Sequence, residues 1–140
     1  MTLTFRYKRV KRGNIDIKSP SIPINLSGNG SKYQFIALID SGADVSVIPQ
    51  EVAELLDLDL SGKREEASGI GGKVEAVQSR VFLDVGKGHE NYSFNLPVKV
   101  ILNKNGAEMP ILLGREGFFN RFVITFNQKE EKVLLKNLDS

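Results

Sequence analysis

The chain has 140 residues, a mass of 15.5 kDa, 41% hydrophobic and 26% charged residues, and a formal net charge of +2. That balance excludes a disordered or helix-spanned membrane chain, and the length suffices to bury a core without disulfide or metal staples. With no cysteine and a single histidine, His89, one copy cannot assemble a disulfide, a thiolate nucleophile, a cysteine-ligated zinc, a Ser-His-Asp triad or a multi-histidine metal site.

Chemistry must therefore rest on carboxylates, lysines, hydroxyls or backbone groups. The 19 basic and 17 acidic residues are too balanced to attract nucleic acid through the overall field, and no membrane partner is expected. Met1 to Arg6 lacks the apolar region of a secretory signal, so a cytoplasmic location and a single domain over 1–140 are the expectations.

In chain order, short segments rich in β-branched and aromatic residues predict strands over Leu3 to Val10, Ile22 to Leu26, Tyr33 to Asp40, Lys73 to Asp84, Tyr92 to Leu102, Met109 to Leu113, Phe122 to Phe126 and Lys132 to Lys136. Lys8-Arg9 and Lys11-Arg12 read as a solvated edge. Turn signals at Ser27-Gly28-Asn29-Gly30, Gly86-Lys87-Gly88 and Asn103-Lys104-Asn105-Gly106 predict hairpins, and His89 reads as a solvated turn residue. Pro49 to Leu56 predicts a helix with Pro at its first position, an acidic first turn, and Val52, Leu55 and Leu56 on one side. One or two helical turns are predicted near Arg115 to Phe119, with Phe118 and Phe119 in core and interface packing. The fold class is all-β, mainly antiparallel, with one or two short helices.

Asp40-Ser41-Gly42-Ala43-Asp44 follows Phe35-Ile36-Ala37-Leu38-Ile39, a run that reads as buried on both faces. A carboxylate set there needs partners, because burying an unpaired charge costs several kcal/mol or more. Taken alone, Asp40 reads as an acid satisfying turn amides at a strand end. Ser68-Gly69-Ile70-Gly71-Gly72 is a glycine-rich tip between hairpin segments; no Lys-Ser/Thr follows, as a phosphate loop requires. The remaining ligands of a calcium loop are missing around Asp40, so no metal and no cofactor is expected. Asp84-Val85-Gly86 lacks the hydroxyl of Asp40-Ser41-Gly42 and reads as a hairpin end.

Three segments in order, Leu38-Ile39-Asp40-Ser41-Gly42-Ala43-Asp44, Gly69-Ile70-Gly71-Gly72 and Ile111-Leu112-Leu113-Gly114-Arg115, resemble the retropepsin family of single-domain aspartic proteases. The resemblance runs from about Ile22 to Phe126; the extra segments 1–20 and 127–140 lean towards a cellular member. It implies an acid protease barrel, a symmetric homodimer and a peptide or protein substrate. It also implies roles for residues. Asp40 would be the catalytic acid or base, with Ser41 bonding across the dyad. The Gly42 carbonyl and Asp44 amide would hold substrate main chain next to Ala43. Gly69, Ile70 and Gly71 would form a flap tip, Leu38, Val47 and Leu112 would line apolar pockets, and Arg115, after Gly114, would pair with a partly buried Asp44. The alternative is a domain of this fold that binds or assembles without turnover.

Overall fold

The computed structural model describes residues 2–12, 14–69, 72–102 and 109–138. Its elements are β1 (Thr2–Arg6), β2 (Lys8–Arg12), β3 (Ile15–Ser19), β4 (Ser21–Ser27), β5 (Lys32–Ile39), β6 (Ser46–Pro49), α1 (Gln50–Leu55), β7 (Arg64–Gly69), β8 (Gly72–Lys87), β9 (Glu90–Ile101), β10 (Ile111–Leu113), β11 (Phe122–Asn127) and β12 (Lys132–Asn137), with one 3-10 turn at Phe119–Arg121. The all-β, mainly antiparallel architecture expected from the sequence is present.

Strict alternation builds the main sheet. In β4 the apolar Ile22, Ile24 and Leu26 are buried while Pro23, Asn25 and Ser27 point to the other side. Seven strands follow the order β4-β5-β10-β6-β9-β8-β7, and β4 pairs again with β8, so the sheet curls back on itself. The parallel pairs β5–β10 and β6–β9 lie in its middle. A long β8 makes this closure possible. One end carries the β7 hairpin and the other reaches β4 through Leu83↔Leu26. Phe94, Phe118 and Phe122 cap the core, with Phe118 and Phe122 ring centroids 5.3 Å apart.

The terminal segments are tied to each other. β12 sits between β1 and β11, with Leu3, Phe5, Val133 and Leu135 buried against the core. The strand predicted over Leu3 to Val10 is in fact two. The buried Tyr7 still follows the β12 register, its amide donating to the Glu131 carbonyl at 2.8 Å, and beyond it β2 pairs with β3 in a separate ribbon. Strands β3, β6 and β7 were not predicted.

Other expectations need correcting. The run in β5 is not buried on both faces: Ala37 and Ile39 face the core, but Ile36 is 45% exposed and Leu38 half-buried. In α1 the inward residues are Ala53 and, just beyond its end, Leu56; Leu55 points to solvent, and Pro49 occupies the N-cap. Asp84 is not a hairpin end, because β8 continues to Lys87. It is the buried carboxylate among the described residues, held by Lys32 at 2.6 Å and by the Ser93 hydroxyl. The turns at 28–30 and 87–89 do join β4 to β5 and β8 to β9, whereas the predicted turn at 103–106 lies outside the described residues. The second helical piece is the 3-10 turn, starting later than predicted. Among the described residues no helix is long and apolar enough to cross a membrane.

Candidate active site

The end of β5 and the end of β10 lie side by side, and this sets Asp40. Its amide donates to the Leu113 carbonyl at 3.0 Å, and its own carbonyl accepts from Ala43 at 3.2 Å, which closes a tight turn. The turn is clamped from the far side. Arg115 donates its amide to the Ala43 carbonyl at 2.9 Å, and Glu116 donates to that of Asp44 at 2.8 Å. Beneath, the Gly114 amide donates to the buried Ser46 hydroxyl oxygen at 2.9 Å. A side chain at Gly114 would run into the carbonyl of Val45, so glycine is what lets the two segments cross this closely.

The Asp40 carboxylate is half-buried. One oxygen, Oδ1, accepts a 2.9 Å hydrogen bond from the Gly42 amide; the other is unengaged among the described residues. Ser41 and Gly42 are exposed, and the Ser41 hydroxyl likewise makes no bond among the described residues. This turn therefore holds one carboxylate rigidly at the surface with a free oxygen and a free hydroxyl beside it.

Asp44 and Arg115 form an ion pair, with side chains 85% and 58% exposed. The expected partial burial of Asp44 is absent, because the loop carries it outward while only its backbone is clamped.

Leu38, Leu112 and Val47 fall into one row. Leu112 is the register partner of Leu38 on β5 and of Val47 on β6, so all three side chains share a face, and all are half-buried. That face runs up to Asp40. Gly69 pairs with Gly72 where the β7–β8 hairpin closes; Ile70 and Gly71 lie outside the described residues.

Two neighbours of the site went unnoticed in the sequence. Ser46 supports Gly114, and Lys99 extends the apolar row as the register partner of Val47. The alternation of Phe94, Leu96, Val98 and Val100 does put Lys99 on the opposite face, but which strand lies beside it depends on the parallel β6–β9 pairing.

Residues 22–116, the stretch holding this turn, its clamp and the apolar row, match a family model described as aspartyl protease. The chain belongs to the aspartyl protease family. Its fold is retropepsin-like. A retropepsin-like aspartic protease from Rickettsia conorii aligns at 19% identity over 96% of this chain and 98% of that one, with a TM-score of 0.59. EIAV protease, solved with the inhibitor HBY-793, aligns at 21% identity over 79% of this chain and 93% of that one, with a TM-score of 0.54. No curated protein matches the chain.

Proposed function

We propose that the chain is an aspartic endopeptidase whose active unit is a symmetric homodimer, with the Asp40 residues of two copies forming the catalytic pair. The observation that carries this reading is the Asp40 carboxylate itself, fixed by Gly42 on one oxygen and unengaged on the other among the described residues. A water-activating carboxylate needs a second one close by to share a proton, since two neighbouring like charges do not both ionise readily. Among the described residues Asp44 is engaged by Arg115, Asp84 is buried in the barrel wall and Glu116 lines the groove beside the turn, so the second acid of the pair comes from the Asp40 turn of the other copy.

In the reaction, the ionised carboxylate takes a proton from a water while the protonated one donates to the scissile carbonyl oxygen. Water oxygen adds to the carbonyl carbon and gives a tetrahedral diol. Collapse breaks the C–N bond as the departing nitrogen takes a proton from one carboxyl of the dyad and a diol hydroxyl gives its proton to the other, and no acyl-enzyme forms. Ser41 spans the dyad through its free hydroxyl, and the Gly42 carbonyl and Asp44 amide bind the extended substrate main chain alongside Ala43. Leu38, Val47 and Leu112 receive apolar side chains. The β7–β8 hairpin, with Gly69, Ile70 and Gly71, serves as the flap; Gly114 and Arg115 brace the turn. Residues 1–140 act as one domain, a reading supported by the pairing of β1 with β12.

The test is cleavage of peptides with apolar residues around the cut. Asp40→Asn should abolish cleavage without changing the melting temperature by more than a few degrees; retained activity in that variant would sink the assignment.

A further inference from the structure

The row Leu38, Leu112, Val47 does not stop at an apolar residue. Its next member, on β9, is Lys99, and the one after, on β8, is Gln78. A peptide laid over this face meets three aliphatic side chains and then an ammonium. Lys99 is half-buried, which is a costly place for a flexible, strongly hydrated cation unless something holds it.

Glu65 holds it from the hairpin. The Glu65 register partner on β8 is Ala76, which is fully buried, and the carboxylate reaches across this small residue to place Oε1 3.4 Å from Lys99 Nζ. Side-chain exposures are 29% for Glu65 and 34% for Lys99. The contact is an ion pair without being a hydrogen bond, and Glu65 Oε1 is buried with no hydrogen-bond partner among the described residues. Lys99 therefore keeps N–H donors unspent.

Those donors face a groove of about 530 Å³ that runs beside the turn after Asp40, with Asp44, Val45 and Glu116 on one side and Gln78, Arg80 and Lys99 on the other. The strand wall is a donor surface. Arg80 pairs with Pro97, two residues from Lys99, so the two cations are diagonal neighbours on one face. Arg80 has no ion-pair partner among the described residues. On the loop wall Asp44 is already engaged by Arg115, and Glu116 lines the groove without an ion-pair partner among the described residues.

We propose that this groove is a subsite for an acidic side chain of the substrate, and that Lys99 is its specificity-determining residue, with Arg80 assisting. This rests on the protease reading and deepens it. The preferred substrate has apolar residues at the cut and an aspartate or glutamate flanking them.

The experiment uses peptides with a fixed apolar cut site in which each flanking position in turn carries Glu, Gln or Lys. Cleavage is read as kcat/KM, and binding of the same peptides with a reduced scissile bond is read by calorimetry. The wild-type protein should favour Glu over Gln by about five- to tenfold at one position, and less at high salt, as expected for a partly exposed charge contact. Removing Lys99 alone would strand the Glu65 carboxylate, so the decisive variant is the exchange Glu65→Lys with Lys99→Glu, which keeps the pair and reverses the charge facing the groove. The exchange should shift the preference from the Glu peptide to the Lys peptide. Cleavage and binding with equal preference for Glu and Gln at every position would overturn the subsite and leave the protease reading standing. So would a preference for Lys in the wild type, which would assign the groove to Glu116. Failure to cut or bind any peptide would bring down the protease reading and the subsite with it.

Discussion

The hydroxyl oxygen of Ser46 accepts a 2.9 Å hydrogen bond from the amide of Gly114, inside the protein where both residues are buried. This bond joins the strand after the Asp40 turn to the strand end that clamps it. Ser46→Ala removes the acceptor and leaves a buried N–H unsatisfied, which costs about 1–3 kcal/mol. Urea unfolding should show a lower midpoint with an unchanged slope. A midpoint equal to the wild type would mean that the clamp does not depend on this bond.

Gly114→Ala acts on the same crossing by volume. The added Cβ would meet the Val45 carbonyl and, at 2.8 Å, the Ser46 amide nitrogen, and backbone cannot swing aside as a side chain can. Overpacking of this kind costs about 1–3 kcal/mol and forces the two segments apart. Because Arg115 and Glu116 hold the Ala43 and Asp44 carbonyls, peptide cleavage should fall further than stability alone explains at a temperature where the variant is fully folded. Unchanged kcat/KM under those conditions would separate the clamp from the chemistry.

The Arg115–Asp44 ion pair should matter much less to stability. With side chains 58% and 85% exposed, both groups are well solvated, and such pairs contribute about 0–1 kcal/mol. Arg115→Gln is therefore expected to shift the thermal midpoint by only a few degrees, and the small difference should shrink further in high salt. A loss of several kcal/mol would show that the pair is buried by something outside the single chain, such as a second copy.

The geometry of the candidate site was legible where it depends on local chemistry. Asp40 to Asp44, Gly114 and Arg115 are contiguous motifs, and the turn and clamp follow from them. What was illegible depends on partners far along the chain. Tyr7 is a good strand former with no punctuation around it, and the break there marks where the chain leaves β12 to pair with β3. β6 is four residues long, too short to show a period, and β7 carries Arg64, Glu65 and Glu66, poor strand formers that the hairpin register with β8 nonetheless holds. Leu55 looked inward on helical spacing, yet a six-residue helix has little face to define and the sheet beneath meets Ala53 and Leu56 instead. Asp84 looked terminal because glycines follow it, but β8 continues to Lys87.

Asp84 supplies a prediction about acid stability. Burial raises its carboxyl pKa, but the hydrogen bonds from Lys32 and Ser93 and the charge of Lys32 outweigh that, leaving it below the ordinary value of 3.8. A carboxyl depressed in the folded state contributes stability above its unfolded pKa, and the contribution is lost as pH falls through the folded value. Stability should therefore drop on acidification below about pH 4. Lys32→Met should cost about 1–2 kcal/mol at pH 7, a figure reduced because the Lys32 side chain is 56% exposed, and should flatten the acid limb. An acid limb as steep in the variant as in the wild type would assign it to other carboxylates.

The single Asp40 turn per chain makes subunit mixing a direct test of the dimer. If the active unit contains two Asp40 residues, specific activity should fall on dilution through the dissociation constant, since the dimer population falls with concentration. A monomeric catalyst would keep constant specific activity. Mixing sharpens the distinction. When wild type and Asp40→Asn exchange freely in equal amounts, random pairing leaves only half the wild-type subunits with a wild-type partner, so activity should drop to about half of that before exchange. Ser41→Ala removes the hydroxyl that is unengaged among the described residues, and should weaken dimerisation and kcat together while leaving monomer stability within about 0.5 kcal/mol, as expected for an exposed side chain. Undiminished activity in the exchanged mixture would mean that Asp40 acts without its two-fold mate, and the catalytic pair would have to be sought within one chain.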